Sequence, residues 1–188
     1  MPRNDPGSGN FLALAIAALL GLSVLMGLAV LPRLAPGGHA MIGKPAPDVT
    51  LPVAANGDPG ARMQLSDLKG QAVILDFWAS WCGPCAIQAP ILERVARRYE
   101  KKGLVVLGVN VDDPVAIAQQ FAARKGLTYP IVLDAGRDAS VRYDVDKLPT
   151  MVVIDKEGKV AAYLTAIVDE ASLEEIIAQV LSGHVDSS

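Results

Sequence analysis

The sequence predicts an α/β domain in which helices cover both faces of a mixed β-sheet. The first observation is a strand–helix–strand succession at 72–111, where the apolar runs "AVILDFW" and "LVVLGVNV" flank a helical pattern. The second is a pair of apolar runs, 150–155 and 159–165, joined by a short turn with glycine, which is typical of a hairpin. A strand–helix–strand unit gives parallel strands and a hairpin gives antiparallel ones, so the sheet contains both kinds.

The long helix of the first unit begins near Cys82 and ends before Gly103. Its apolar side chains recur every fourth residue, at Ile87, Ile91 and Val95. Pro90 lies inside this pattern and predicts a kink, because proline lacks the N–H of a helical hydrogen bond.

Further elements flank the hairpin. Before it, the sequence predicts a helix start at Asp113-Pro114, a strand at 129–134 and a short helix at 137–145. After it, Ser172 and Glu175 are predicted to form the capping box of a last helix. The expected inward-facing residues of that helix are Leu173, Ile176 and Val180.

Composition argues against several functional classes. The chain has 188 residues, a net charge of −3 and no basic block, which argues against a nucleic-acid-binding protein. Its two cysteines are too few for a disulfide scaffold. His39 and His184 lie far from them in sequence, so we expect no metal site.

The N-terminal part of the chain predicts a membrane anchor. Residues 11–31 carry no charge, and at about 1.5 Å per residue they match the roughly 30 Å core of a bilayer. A signal peptide cleaved near Gly38-His39-Ala40 remains an alternative, and flanking charges do not decide the orientation. The predicted divisions are a tail (1–10), the anchor (11–31), a Pro- and Gly-rich linker (32–44), the folded domain (45–183) and a second tail (184–188).

The two cysteines form a CxxC pair where the first strand meets its helix. A helix N-terminus stabilises a thiolate, so we expect a lowered pKa for Cys82. Cys85 lies almost one turn further, within the disulfide range of about 4.4–6.8 Å between Cα atoms. Cys82 can then attack a substrate disulfide and Cys85 can resolve the mixed disulfide, while Gly83 and Pro84 keep the loop tight. A structural pair or half of a metal site remains an alternative.

The segment "DFWASWCGPC" (76–85) closely resembles the active site of thioredoxins, and the resemblance continues through 89–112. "LPT" (148–150) resembles the cis-proline loop of that family. The resemblance implies that Pro149 is cis and lies beside the two sulfurs, and that the backbone of Leu148 meets an extended substrate. The expected substrate-contacting residues are Trp81, Gly83, Pro84, Leu148 and Thr150.

The wider chain, about 42–182, resembles the membrane-anchored, extracytoplasmic thioredoxin-like branch that includes TlpA, ResA and the cytochrome c maturation thiol reductases. The matching segments are "IGKPAPDVTLP" (42–52), the approach at 64–82 and an extra helix and strand at 113–140. The resemblance implies a single-pass protein whose catalytic domain faces the periplasm or extracytoplasmic side. It also implies protein disulfides as substrates, a membrane electron donor of the DsbD or CcdA kind, and no cofactor besides the Cys82–Cys85 disulfide.

Asp76 matches the buried acid with which thioredoxins move the proton of the second thiol. Burial raises a carboxyl pKa and suits this role, although a surface position at a strand edge remains an alternative. Gly108 occupies the place of a thioredoxin lysine, so we expect a higher Asp76 pKa. Gln88 stands where this branch commonly has Glu, which weakens an assignment to cytochrome c maturation and leaves general disulfide reduction.

Two other functions remain in competition with a reductase. One is a non-catalytic binding module whose CxxC is structural or holds a metal. The other is a peroxidase of the peroxiredoxin type, because the N-terminal segment and the insert also resemble that family. Those enzymes place Thr and Cys in a Pro-rich loop, where this chain has "ASWCGPC".

Overall fold

The computed structural model describes residues 16–17, 19–20, 38–58 and 60–183. The chain forms two compact units, Met1–Gly38 and His39–Ser188. Most of the predicted anchor (11–31) and both predicted tails lie outside the described residues, while 16–17 and 19–20 are helical and exposed. None of the helices within the described residues has the length and apolar character needed to cross a membrane.

The second unit is built on one mixed sheet. Its strands within the described residues are β1 (Thr50–Ala55), β2 (Arg62–Gln64), β3 (Ala72–Trp78), β4 (Leu104–Asn110), β5 (Ile131–Leu133), β6 (Thr150–Ile154) and β7 (Val160–Leu164). They lie in the order β2-β1-β5-β4-β3-β6-β7. β3, β4 and β5 are parallel, whereas β6, β7, β1 and β2 pair antiparallel, so the predicted mixed sheet is confirmed.

Helices cover both faces of this sheet, as predicted. The α-helices of the second unit are α1 (Gly83–Tyr99), α2 (Val115–Lys125), α3 (Asp138–Arg142) and α4 (Glu170–Ser182). The apolar residues of α1, α2 and α4 pack together on one face, called the α1 face here. α3 and the 3₁₀ turn Leu65–Leu68 pack on the opposite face, called the α3 face.

Strand β3 divides its side chains between the two faces. Ile74 and Trp78 belong to the core of the α1 face, while Leu75 and Phe77 belong to that of the α3 face. Since side chains alternate along a strand, Asp76 projects to the α1 face, on which α1 and its cysteines lie.

The domain begins earlier than predicted. The backbone N–H of Gly43 donates to the carbonyl of Val160, and Pro45 bridges to Lys159. Met41 packs against the core of the α3 face. The segment 39–44, assigned above to the linker, is therefore part of the folded unit. A segment of turns held by a few hydrogen bonds has no periodicity that could have revealed it.

Helix starts also differ from the predictions. Pro114, not Asp113, is the N-cap of α2. Inside α1, Pro90 does not end the helix, which runs on to Tyr99. The N-cap of α4 is Asp169, whose carboxylate accepts the N–H of Ser172 at 3.0 Å, so the predicted capping box is wrong. On the inward face of α4 the sequence predicted Ile176, but Ile177 is the fully buried residue and Ile176 is only partly buried.

Candidate active site

The two cysteines lie at the junction of β3 and α1. Cys82 is the N-cap of α1, and its Sγ accepts the N–H of Cys85 at 3.2 Å. Gly83 and Pro84 occupy the first turn, where the missing N–H of proline leaves no intrahelical bond unmade. The cysteines are joined in a disulfide with 5.2 Å between their Cα atoms, inside the expected range.

A groove of about 460 Å³ opens beside Cys82. It is lined by five residues that the sequence singled out: Trp81, Cys82, Gly83, Pro84 and Leu148. Trp81 is 67% exposed, whereas Cys82 is 5% exposed and Cys85 only 3%. The groove therefore gives a partner access to the first sulfur, beside a large exposed aromatic ring.

The opposite wall of the groove is the loop before β6. The Leu148–Pro149 peptide bond is cis, in agreement with the resemblance, and Pro149 is buried. Thr150 is fully buried and its hydroxyl donates to the carbonyl of Lys147 at 2.9 Å. The side chain of Thr150 thus holds the shape of the loop and does not line the groove.

Four charged residues, from the end of β4 to the loop before β6, complete the groove, and the sequence did not reveal that they line it. Asp112 and Arg137 line it and form an ion pair at 2.8 Å. Both have a positive φ, 67° and 56°, which is uncommon outside glycine. Asp146 and Lys147 also line the groove, so charges of both signs surround it.

Asp113 holds the loop that leads into Cys82. Its carboxylate accepts the N–H and the hydroxyl of Ser80 at 2.7 and 2.8 Å, and the side-chain amide of Asn110 at 2.7 Å. This acid therefore ties the loop before α1 to the end of β4. The sequence suggested only a helix cap, because its partner Ser80 lies 33 residues away.

Asp76 is buried in the middle of the sheet, with 3% of its surface exposed. Burial raises its pKa to about 7, and Oδ1 has no hydrogen-bond partner among the described residues. The alternative of a surface carboxyl at a strand edge is therefore wrong. The sequence predicted a raised pKa for Asp76, and the burial of this carboxyl agrees with that prediction.

Gly108 is the partner of Asp76 on the neighbouring parallel strand β4. A Cβ at Gly108 would meet Ile131 Cδ1 at 2.7 Å, Tyr129 Cε2 at 3.0 Å and Trp78 Nε1 at 3.1 Å. A lysine does not fit there without displacing these side chains. The aromatic rings of Trp78 and Tyr129 occupy this space, and no sequence pattern indicated that Tyr129 belongs to the site.

Gln88 lies one turn after Cys85 and is 1% exposed. Its Oε1 accepts the N–H of Val168 at 2.8 Å, which ties α1 to the segment before α4. A glutamate at this place would have to bury a carboxyl, so the amide supplies the hydrogen bond without a titrating group.

Metal binding by the CxxC would require further ligands nearby. Across 38–58 and 60–183, no three His, Cys, Asp or Glu side chains are grouped in a way that could hold a metal ion.

A CxxC pair that opens the helix after a central strand, facing a cis-proline loop, defines a thioredoxin-like protein. Within that class, the chain belongs to the AhpC/TSA family, whose family model matches residues 42–163.

Relatives agree with this class. The chain is 37% identical over 133 residues to the thiol-disulfide oxidoreductase ResA of Geobacillus kaustophilus, covering 71% of this chain and 74% of that protein. It is 34% identical over 125 residues to the ResA of Bacillus subtilis, covering 66% and 70%. The protein is thus a thiol-disulfide oxidoreductase of the TlpA/ResA type.

Solved structures support the same conclusion. A candidate thiol:disulfide interchange protein DsbE from Chlorobium tepidum is 34% identical with a TM-score of 0.68, covering 74% of this chain and 97% of that one. A secreted thiol-disulfide isomerase from Corynebacterium glutamicum is 28% identical with a TM-score of 0.67, covering 73% and 85%.

Proposed function

We propose that this oxidoreductase is a membrane-tethered reductant of protein disulfides on the periplasmic or extracytoplasmic side of the membrane. The observation that carries the proposal is the position of Cys82, at the start of α1 and on the wall of a groove that also contains Leu148. This arrangement gives one sulfur both activation and access to an extended partner.

Cys82 is the nucleophile of the proposed reaction. In the reduced protein, the unpaired N–H groups at the start of α1 stabilise its thiolate. The N–H of Cys85 already points at Cys82 Sγ, 3.2 Å away. The thiolate attacks one sulfur of the substrate disulfide, a mixed disulfide forms, and the other substrate sulfur leaves as a thiolate that takes a proton from water.

Cys85 resolves the mixed disulfide. Its thiol passes a proton to the Asp76 carboxylate, and the resulting thiolate attacks Cys82 Sγ. The second substrate sulfur leaves, so the substrate gains two electrons and the dithiol becomes the Cys82–Cys85 disulfide. The pKa of about 7 makes Asp76 a suitable base near neutrality, because a catalytic group works best with a pKa near the operating pH.

The groove binds an extended segment of the substrate. The backbone of Leu148, presented by the cis Pro149 loop, pairs with that segment as a strand would. Trp81 supplies an exposed apolar contact at the rim, and Gly83 and Pro84 leave room for the chain to approach Cys82.

The tether and the electron donor complete the proposal. Residues 11–31 supply 21 consecutive uncharged, apolar or small residues, a length suited to a single bilayer crossing. Each turnover leaves a disulfide, so a donor must return two electrons, and we propose that a membrane dithiol protein of the DsbD or CcdA kind supplies them. Alkaline extraction of membranes tests the tether, since an integral protein stays in the pellet and a released domain moves to the supernatant.

Insulin reduction tests the activity. We expect the full chain, with dithiothreitol as electron source, to reduce insulin disulfides, and Cys82→Ser to be inactive. Equal rates for both proteins would contradict the assignment. The Cys85→Ser variant is expected to stall as a mixed disulfide, which captures the physiological substrates. Peroxide consumption by the same dithiol would instead support a peroxidase.

A further inference from the structure

Two buried polar side chains beside Asp76, Trp78 and Tyr129, have no part in the reaction above. Asp76 Oδ1, Trp78 Nε1 and the Tyr129 hydroxyl are all buried without a hydrogen-bond partner among the described residues. Buried polar atoms are normally paired, because desolvating them without compensation is costly. The carboxyl oxygen and the two unpaired atoms near it therefore point to a shared ligand.

All three atoms belong to side chains on the α1 face beside Gly108. Asp76 and Gly108 are register partners on adjacent strands, so their Cα atoms lie about 5 Å apart and their side-chain positions share a face. Tyr129 Cε2 and Trp78 Nε1 lie 3.0 and 3.1 Å from the position of a Gly108 Cβ. The absence of a side chain at Gly108 lets the phenol and the indole approach the carboxyl.

Electrostatics agree with this proximity. Burial, together with the nearby charges of Asp76 and Glu93, raises the pKa of Tyr129 well above its usual range. The phenol therefore stays protonated at neutral pH and can both donate and accept a hydrogen bond. The indole N–H of Trp78 can only donate, and an ionised Asp76 can only accept.

Tyr129 also borders a second cavity, while its hydroxyl stays buried. It lines a cavity of about 310 Å³ together with Thr128, Arg97 and Glu100, of which the last two are exposed. The buried Glu93 holds Thr128 in place, because its carboxylate accepts the N–H and the hydroxyl of Thr128, each at 2.8 Å.

We propose that Tyr129 and Trp78 hold an ordered water molecule against Asp76, and that this water and the phenol carry protons between the carboxyl and the cavity beside Arg97. A water molecule with three polar partners would make the number of hydrogen bonds that is usual for a buried water. The inference rests on the proposed function, in which Asp76 receives a proton from Cys85.

The proton balance is simple. The protonated Asp76 gives its proton to the water, the water passes one to the phenol oxygen, and the phenol gives its own proton to solvent water in the cavity. No electron moves in this sequence. The titratable groups around the route are Cys85, Glu93 and Arg97 on α1, Glu100 directly after it, Asp76 on β3 and Tyr129 before β5. Helix α4 contributes the apolar Leu173 and Ile177. Tyr129 is thus a positioning residue that acts through Asp76.

The Tyr129→Phe variant tests the proposal, because it removes only the hydroxyl. We expect the titration midpoint of the Asp76 carboxyl, followed by NMR in the reduced full chain, to rise by about one pH unit through the loss of a donor. We also expect resolution of the mixed disulfide to slow roughly tenfold near pH 7. The alkylation rate of Cys82 should stay the same. Tyr99→Phe makes the same chemical change at the last residue of α1 and should alter none of these values.

An Asp76 midpoint that does not change in Tyr129→Phe overturns the inference. Carboxyl titration needs no activity, so it can be judged separately if the wild-type chain fails to reduce disulfides, which would overturn the proposed function instead. A crystal structure of the wild-type protein gives a test that does not depend on folding of the variant. Ordered density within hydrogen-bond distance of all three atoms supports the inference, and none there overturns it.

Discussion

Replacing Asp76 by Asn should change how the stability of the folded protein depends on pH. Burial raises the pKa of Asp76 from 3.8 to about 7. Each pH unit of difference corresponds to about 1.4 kcal/mol, so ionising this buried carboxyl disfavours the folded state by roughly 4 kcal/mol.

The sign follows from which state loses its proton first. The stabilising contribution is fully present below about pH 3.8, where both states hold the proton. Above that pH the unfolded chain releases it while the folded chain keeps it, so stability falls until the pH passes about 7. An asparagine side chain does not titrate, so Asp76→Asn should gain stability relative to the wild type over this range.

Denaturant unfolding of the oxidised full chain in detergent provides the assay. Both tryptophans, Trp78 and Trp81, lie in the thioredoxin-like unit, so their fluorescence reports its unfolding. The difference in unfolding free energy between Asp76→Asn and the wild type should grow by roughly 2 kcal/mol between pH 5 and pH 7. Asp67→Asn, at an exposed carboxyl, is the matched control. A difference that stays constant over this pH range would refute the assignment of a raised pKa to Asp76.

Three further predictions concern other parts of the site. In the reduced protein, iodoacetamide should modify Cys82 at pH 6 at least about tenfold faster than a free cysteine, because the helix start stabilises its thiolate; equal rates would remove the basis of the proposed attack. Gly108→Ala should destabilise the fold by about 1–3 kcal/mol in thermal unfolding, since its methyl group would lie 2.7 Å from Ile131 Cδ1. An unchanged melting temperature would contradict this expected steric clash. Asp113→Ala should lower the free energy of unfolding by about 1–3 kcal/mol and slow insulin reduction, because Ser80 loses two hydrogen bonds that hold the loop before the cysteines. Asp138→Ala, which removes an exposed carboxyl paired with Arg142, is the control and should change neither value.

The parts of the fold that follow a periodic pattern were predictable. The strand and helix around Cys82 and the hairpin at β6 and β7 follow from apolar spacing alone. The strands β1 and β2 were not predicted. β1 is interrupted by Pro52 and pairs with β5, and β2 is only three residues long, so neither shows a recognisable alternation.

The residues of the functional site were likewise predictable only where they lie close together in the sequence. The CxxC pair was evident because both cysteines lie within one helical turn, where spacing fixes geometry. Tyr129 and Arg137 were not, because each reaches the site from a distant part of the chain through packing. The burial of Asp76 could not be decided either, since its neighbours Leu75 and Phe77 project to the other face.

The sequence by itself determined the class of chemistry, because a thiol pair at the start of a helix is a local arrangement of a few consecutive residues. Only the tertiary structure decided the environment of that pair: which carboxyl is buried, which rings lie beside it, and which charges line the groove. Those properties depend on strands and loops that are far apart in the chain and meet only when the sheet has formed. Short-range sequence patterns therefore do not predict them.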